Sequence, residues 1–125
     1  MPGKRTMRVR RVYDPPEDDD GVRVLVDRLW PRGLSKERAA VAEWPKELTP
    51  STELRRWYHE DRTRYAEFQE RYEAELAEPE PAQALDRLLG LAKSDTVTLV
   101  TAVKDIDHSH VPTLVAALER DRPSG

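Results

Sequence analysis

Two short polar clusters contain the side chains best suited to chemistry or ligand binding. The first, DRLWPR at 27–32, directly follows an aliphatic run at 22–26, and the second, KDIDHSH at 104–110, follows another run at 96–103. Arginine offers a forked pair of hydrogen-bond donors and lysine a compact charge, so the two clusters together suit a phosphate or carboxylate group. Aspartate and histidine can accept a proton, which adds the chemistry of a general base.

The runs that precede the clusters have the pattern of β-strands. Both are rich in β-branched residues, and the run at 96–103 has no polar face, which is typical of a strand buried on both sides of a parallel sheet. We expect these two strands to lie parallel in one sheet, where the loops beyond their carboxyl ends share an edge and form a ligand site. A weaker strand is predicted at 7–13.

Helical periodicity predicts the rest of the architecture. Apolar residues recur at helical spacing in the segments 64–77 and 82–93, and the proline-rich segment 77–83 is predicted to connect these two helices. The run at 96–103, a short polar loop and a final helix follow one another directly, which is half of a βαβ unit. The predicted fold is a small three-layer α/β sandwich with a mostly parallel sheet.

Capping residues predict where two of the helices start. Thr49 has the pattern of an N-cap, with Pro50 at the first position of a short helix. In the last helix Pro112 is tolerated only within the first turn, so Ser109 is the earliest N-cap. This start places amide groups and the positive end of the helix dipole beside the second cluster, where they would favour an anion.

The length of 125 residues fits one domain spanning 1–125, with loose termini at 1–6 and 121–125. The chain has no cysteine, which excludes disulfides, thiolate metal sites and cysteine nucleophiles. The N-terminus lacks the apolar stretch of a secretory signal, and no window reaches membrane-spanning length. We therefore expect a cytoplasmic protein without a membrane partner, either a monomer or a homodimer.

The charge pattern argues against nucleic acid as the main partner. Charged residues make up 36% of the chain, yet the net charge is only -3, which indicates a balanced surface. The arm at 4–11 is basic, and the acidic stretch DPPEDDD at 14–20 is predicted to be a solvated loop. Because the arm is basic, a nucleic-acid-associated regulator is an alternative function. A protein-interaction module is a third hypothesis.

No cofactor or metal is predicted from the sequence. Asp105, His108 and His110 combine carboxylate and imidazole groups that suit zinc, but their spacing matches no strong metal-binding signature. The chain also lacks a Gly-rich phosphate loop, a serine nucleophile elbow and an HExxH motif. The sequence therefore gives no support for the common types of nucleotide-binding site or hydrolase active site.

Four stretches between residues 8 and 120 form a specific pattern: RVLVDRLWPRGLSKE, EW.KELTPS..LRRWYH, F..RYEAEL and VTLVTAVKDIDHSH, with dots for unremarked positions. This pattern closely resembles the YeaO-like bacterial family, catalogued as domain of unknown function 488. The resemblance implies a small cytoplasmic α/β domain and brings no established activity. The chain departs from the family at Thr101, where an aromatic residue is usual, and at Ser109, where asparagine is usual. The family's characteristic polar positions fall on Asp27, Arg28, Trp30, Arg32, Trp44, Lys46, Ser51, Lys104, Asp105 and His108.

These observations predict an enzyme or a sensor that recognises a small anion bearing a phosphate or carboxylate group. One wall of its pocket follows the strand at 22–26, the other is the loop at 104–110, and the middle of the chain contributes further residues. The candidate catalytic residues are Asp27, Asp105 and His108. The candidate ligand-binding residues are Arg28, Trp30, Arg32, Trp44, Lys46, Ser51, His59, Lys104 and Ser109.

Overall fold

The computed structural model describes residues 7–120, and within them three strands form one parallel sheet. The strands are β1 (Arg8–Arg11), β2 (Val22–Leu25) and β3 (Val97–Thr101), in the spatial order β1-β3-β2. Both outer strands run parallel to β3, with Val24 opposite Leu99, so the predicted parallel pairing is confirmed. The loose termini and residues 4–6 of the basic arm lie outside the described residues.

Five α-helices in the described part of the chain pack around this sheet, which confirms the small α/β fold. None of them combines the length and the apolar character needed to cross a bilayer. The helices are α1 (Lys36–Ala39), α2 (Thr52–Glu60), α3 (Tyr65–Leu76), α4 (Pro79–Ser94) and α5 (Val111–Arg120).

Alternating side chains of the strands enter two apolar clusters. Val24 and Leu99 belong to the larger cluster, which packs the sheet against α2 to α5. Leu25 and Val100 belong to a smaller cluster, which contains Ala39 of α1 together with the loop tryptophans. All five residues of β3 are buried, as expected for the central strand, because apolar layers cover both of its faces.

The start of α2 differs from the prediction. Ser51 is the N-cap, and its hydroxyl oxygen accepts from the Leu54 N–H at 3.1 Å. Thr49 instead donates its hydroxyl to the Lys46 carbonyl at 2.7 Å, which closes a one-turn 3-10 helix. The prediction of Thr49 as N-cap and Pro50 as first helical residue was therefore wrong, because the preceding turn already uses the threonine hydroxyl.

Proline lies in the first turn of two other helices, of which one starts earlier than predicted. α4 begins at Pro79, so most of the segment 77–83 is the first turn of a helix and not a connection. Proline lacks an N–H, which the first turn does not need. α5 begins at Val111, whose N–H donates to the Ser109 hydroxyl at 3.1 Å, and Pro112 lies in the first turn as expected.

The acidic stretch at 14–20 contains one buried carboxylate, which corrects the prediction of a fully solvated loop. Asp20 is only 1% exposed, and one of its oxygens lies 2.9 Å from Arg10 and 2.8 Å from Arg23. The same oxygen accepts from the Glu17 N–H at 3.0 Å. Burial alone raises the pKa of Asp20, but these hydrogen bonds and the two arginine charges outweigh it and hold the pKa below its ordinary value.

Candidate functional site

The loops that follow β2 and β3 border one cleft of about 500 Å³ at the carboxyl edge of the sheet. Helix α2 and the segment after it supply the third side of this cleft. Its size falls within the range of about 300–1,000 Å³ that is common for small-molecule sites. Nine of the candidate residues line it: Asp27, Arg28, Trp30, Arg32, His59, Lys104, Asp105, His108 and Ser109.

Three candidate residues lie outside this cleft. Trp44 supports the first loop from behind, because its indole N–H donates to the Asp27 carbonyl at 2.7 Å. The Lys46 ammonium lies 4.2 Å from the centre of the Trp44 ring. Ser51 caps α2 and donates its hydroxyl to Glu75 at 2.6 Å. Lys46 and Ser51 instead line a second cavity, where five glutamates outnumber the two cations.

The cleft also contains residues that the sequence analysis did not select. Arg55 and Arg62 lie on either side of His59 in the chain, and His110 comes from the start of α5. Arg55 and His59 lie four residues apart on α2, and residues at this spacing share one side of a helix, which is the signal that was missed. Arg62 follows the end of α2, in a separate 3-10 turn. Tyr13 and Leu29, which the sequence analysis also did not select, line the same cleft.

Asp27 joins the ends of two strands. One carboxylate oxygen accepts from the Thr101 hydroxyl at 2.7 Å, and the other accepts from the Ala102 N–H at 2.7 Å. The Thr101 oxygen also accepts from the Val103 N–H at 3.1 Å, which extends the network along the second loop. Both oxygens of Asp27 are therefore used in holding the cleft together, which argues against its predicted role as a general base.

Two other residues of the first loop are anchored in the same way. Arg28 donates to the carbonyls of Pro50 and Thr49 at 3.1 and 3.3 Å, and Trp30 donates its indole N–H to the Leu34 carbonyl at 2.6 Å. The Arg28 bonds fix the wall of the cleft against the segment that leads into α2, and the Trp30 bond joins the first loop to Leu34. Arg28 thus has a structural role that the sequence pattern did not reveal.

The second loop presents an aspartate–histidine pair to the cleft. His108 Nδ1 lies 3.0 Å from the Asp105 carboxylate, and both side chains are more than half exposed. The backbone here is held by two tyrosines, since Tyr58 donates to the His108 carbonyl at 2.9 Å and Tyr65 to the Ser109 carbonyl at 2.8 Å. Burial, together with the nearby acidic groups, raises the pKa of Tyr65 to about 12, so this hydroxyl remains a donor at neutral pH.

His110 is buried beneath the cleft and is neutral. Its Nε2 lies 2.6 Å from the Val26 carbonyl, and because a carbonyl only accepts, Nε2 carries the proton. Burial lowers the pKa of His110 below its ordinary value, and the Arg55 charge acts in the same direction. The bond to Val26 and the charge of Asp27, 3.7 Å away, oppose this shift without reversing it.

This burial predicts a pH-dependent stability. Because the folded-state pKa of His110 is lowered, the unfolded chain binds more protons in the window below pH 6.5, so the free energy of unfolding falls as the pH is lowered through that window. Urea unfolding of the wild type and of His110→Gln between pH 5 and about 8 should show a smaller loss of stability for the variant. Equal slopes for the two proteins would contradict the assignment, since the exposed His59 and His108 are present in both.

Cationic side chains dominate the charge of the cleft. It is lined by five of them, Arg28, Arg32, Arg55, Arg62 and Lys104, and by two carboxylates, Asp27 and Asp105. Arg32, Arg55 and Lys104 form no side-chain hydrogen bond, ion pair or ring contact with any other described residue. Arg62 also forms no hydrogen bond or ion pair, but its guanidinium lies over the Tyr58 ring, 5.6 Å from the ring centre. Arg32, Arg55 and Lys104 are therefore available to a ligand.

The start of α5 contributes less to an anion site than its sequence indicates. The Val111 N–H is already bound by Ser109, and Pro112 has no N–H. Nor do the residues weighed as metal ligands converge, because His110 directs Nε2 at Val26 while His108 pairs with Asp105. Among residues 7–120, no group of three or more His, Cys, Asp or Glu side chains could hold a metal ion.

Comparisons with known proteins give relatives for nearly the whole chain. Residues 6–123 match a family model described as the inactive DUF488-N3 subclade. The chain is 50% identical over 105 residues to the uncharacterised protein YeaO of Escherichia coli (strain K12), covering 84% of this chain and 90% of that relative. It is 44% identical over 112 residues to uncharacterised proteins of Mycobacterium bovis and Mycobacterium tuberculosis, covering 90% of this chain and 92% of each relative. No solved structure gives a significant match.

Proposed function

Because the chain belongs to the YeaO-like DUF488 family and matches a subclade described as inactive, we propose that it binds a small anion in the cleft and does not transform it. The ligand carries a phosphate or carboxylate group, and binding makes the protein a sensor or carrier of that ligand. We further propose that it acts in the cytoplasm as a single domain, in a monomer or a homodimer.

The observation that carries this proposal is the set of three unpaired cations in one cleft. Some exposed arginines of the described chain pair with a carboxylate, as Arg71 does with Glu67 at 2.7 Å. Arg32, Arg55 and Lys104 come from three separate segments and converge without such partners. Uncompensated like charges repel one another, and an anion bound between them would relieve that repulsion.

The geometry supports binding better than catalysis. The Asp27 carboxylate is engaged by Thr101 and Ala102, which leaves the Asp105–His108 pair as the candidate general base among the predicted catalytic residues. That pair favours a second candidate function, hydrolysis by a water that His108 activates. Both side chains are more than half exposed, so the pair lacks the water-excluding surroundings that strengthen electrostatic interactions in an active site. Release of product from an added phosphate ester that is lost in His108→Ala would favour this second candidate.

The alternative function, a nucleic-acid-associated regulator, has weaker support. In the described part of the basic arm, Arg8 and Arg10 belong to β1 and pair with Glu17 and Asp20. Arg11 donates to the Ala102 carbonyl at 3.5 Å and lies over the Tyr13 ring. Cations that are committed within the fold contribute less to phosphate contacts with a nucleic acid.

Replacing a free cation should weaken anion binding while leaving the fold intact. We expect Arg55→Ala and Lys104→Ala each to reduce the affinity for inorganic phosphate about tenfold, because a charge-assisted hydrogen bond of about 1.5 kcal/mol is lost. Their melting temperatures without phosphate should stay close to that of the wild type, since neither side chain has a partner to lose. Isothermal titration calorimetry measures the affinity, and a thermal melt measures the stability.

Arg56→Ala is the matched control, because Arg56 is the next residue on α2, is exposed and does not line the cleft. Its affinity for phosphate should equal that of the wild type. Lys93→Ala on α4 serves the same purpose for Lys104. The proposal is overturned if neither phosphate nor acetate binds the wild type, or if the control variants lose as much affinity as the cleft variants.

A further inference from the structure

We infer that the ligand is an aromatic phosphate monoester, in which a planar ring is attached to the anionic group. This inference rests on the proposed function and specifies what the cleft binds beside the phosphate. It follows from two apolar side chains that lie at the same cleft as the free cations. Neither side chain takes part in the apolar clusters of the fold.

Tyr13 and Leu29 are the large hydrophobic residues that stay exposed in the described chain, at 45% and 67%. Both line the cleft. They come from different segments, Tyr13 after β1 and Leu29 after β2, so one stretch of apolar sequence does not explain their meeting. Exposed apolar side chains that gather at one concave site are typical of a binding surface.

Tyr13 is held in a defined position. Its hydroxyl donates to the Arg32 carbonyl at 3.2 Å, and the Arg11 guanidinium lies 5.7 Å from the ring centre. The hydrogen bond joins the ring to the same loop that carries one of the free cations. Arg11 covers one face of the ring, so a planar ligand group would stack on the other.

The cleft is also too large for an inorganic anion alone. Its volume of about 500 Å³ is that of a site for a drug-sized molecule. The walls include aromatic side chains, among them Trp30 and Tyr58, beside the cationic ones. A ligand that has a dianionic phosphate near Arg55 and Lys104 and a ring near Tyr13 would use both kinds of surface.

The test compares phosphate compounds that differ only in their organic part. Isothermal titration calorimetry with inorganic phosphate, glycerol 3-phosphate and phenyl phosphate reports the affinity for the anion, for an aliphatic ester and for an aromatic ester. We expect phenyl phosphate to bind about tenfold more tightly than glycerol 3-phosphate, because ring stacking and apolar burial add to the charge interaction. Adenosine monophosphate tests whether a larger ring system shares this preference.

Variants of Tyr13 and Leu29 test whether these two side chains cause the preference for the aromatic ester. Tyr13→Ala and Leu29→Ala should each remove most of the preference for phenyl phosphate while changing the affinity for glycerol 3-phosphate less than about twofold. Tyr13→Phe should keep the preference, because the ring remains. Both residues are exposed, so these variants are expected to fold.

The outcomes separate this inference from the proposed function. Equal affinities for the aliphatic and aromatic esters overturn the inference and leave anion binding in place. An equal loss for both esters in Tyr13→Ala also overturns it, since the ring would then act through the fold. If none of the three phosphate compounds binds, the inference fails, and if acetate does not bind either, the proposed function fails with it.

Discussion

The free energy of unfolding should fall by about 3–5 kcal/mol when Asp20 is replaced by alanine. Asp20 is buried beside Arg23, and its loss leaves the Arg23 guanidinium without its counter-charge, while Arg10 keeps only the more distant Glu17 at 3.7 Å. Arg23 is itself only 3% exposed, and it binds the Ala39 carbonyl at 2.9 Å. An uncompensated buried charge is costly because the interior cannot replace the water that it has lost.

Urea unfolding monitored by circular dichroism measures this change. Asp19→Ala is the matched control, because Asp19 is the preceding residue of the same turn and is exposed. Its effect should stay within about 0.5 kcal/mol. A loss of under about 1 kcal/mol in Asp20→Ala would contradict the buried ion-pair network.

Asp27→Ala should lower the free energy of unfolding by about 2–3 kcal/mol, because the Thr101 hydroxyl and the Ala102 N–H both lose a charged acceptor. The two bonds join the end of β2 to the end of β3, so the variant should also widen the cleft. Asp27→Asn should recover about half of the loss, since one side-chain oxygen can still accept. The same urea titration measures all three proteins.

Asp105→Ala is the control that shows whether removing any aspartate charge from the cleft lowers the free energy of unfolding. Asp105 is also an aspartate of the cleft, but it is more than half exposed and pairs with His108 alone. Its removal should change the stability by less than about 0.5 kcal/mol. If Asp27→Ala is as stable as the wild type, the Asp27 carboxylate is free for chemistry, and the proposal of a non-catalytic cleft loses its main structural support.

The sequence around these two aspartates indicated different roles. Asp20 belongs to an acidic stretch predicted to be solvated, and Asp27 was among the candidate catalytic residues. Only the structure shows that Asp20 neutralises the buried Arg23 together with Arg10, while Asp27 accepts bonds from residues more than seventy positions away. In each case the carboxylate serves the fold, and the free charge of the cleft lies in the cations.

The sequence alone determined the two main strands and their parallel pairing, which brings the polar loops at 27–32 and 104–110 to one edge of the sheet. The β-branched runs at 22–26 and 96–103 predicted buried strands, and their parallel order followed from the strand–loop–helix succession. Side-chain periodicity and the restrictions on proline depend on local sequence alone. They therefore also predicted helix α3 and the position of Pro112 in the first turn of α5. Boundaries failed where two residues competed for one role, as Thr49 and Ser51 did at the start of α2.

Tertiary structure alone decided which polar residues are available to a ligand. Arg28 and Arg55 have the same chemistry, yet Arg28 is bound to the carbonyls of Thr49 and Pro50 while Arg55 has no such bond. Trp44, Lys46 and Ser51 fit the family's polar pattern, but they lie outside the cleft because the chain between β2 and α2 turns them toward other neighbours. Hydrogen-bond partners are set by contacts between segments far apart in the chain, which no local pattern specifies.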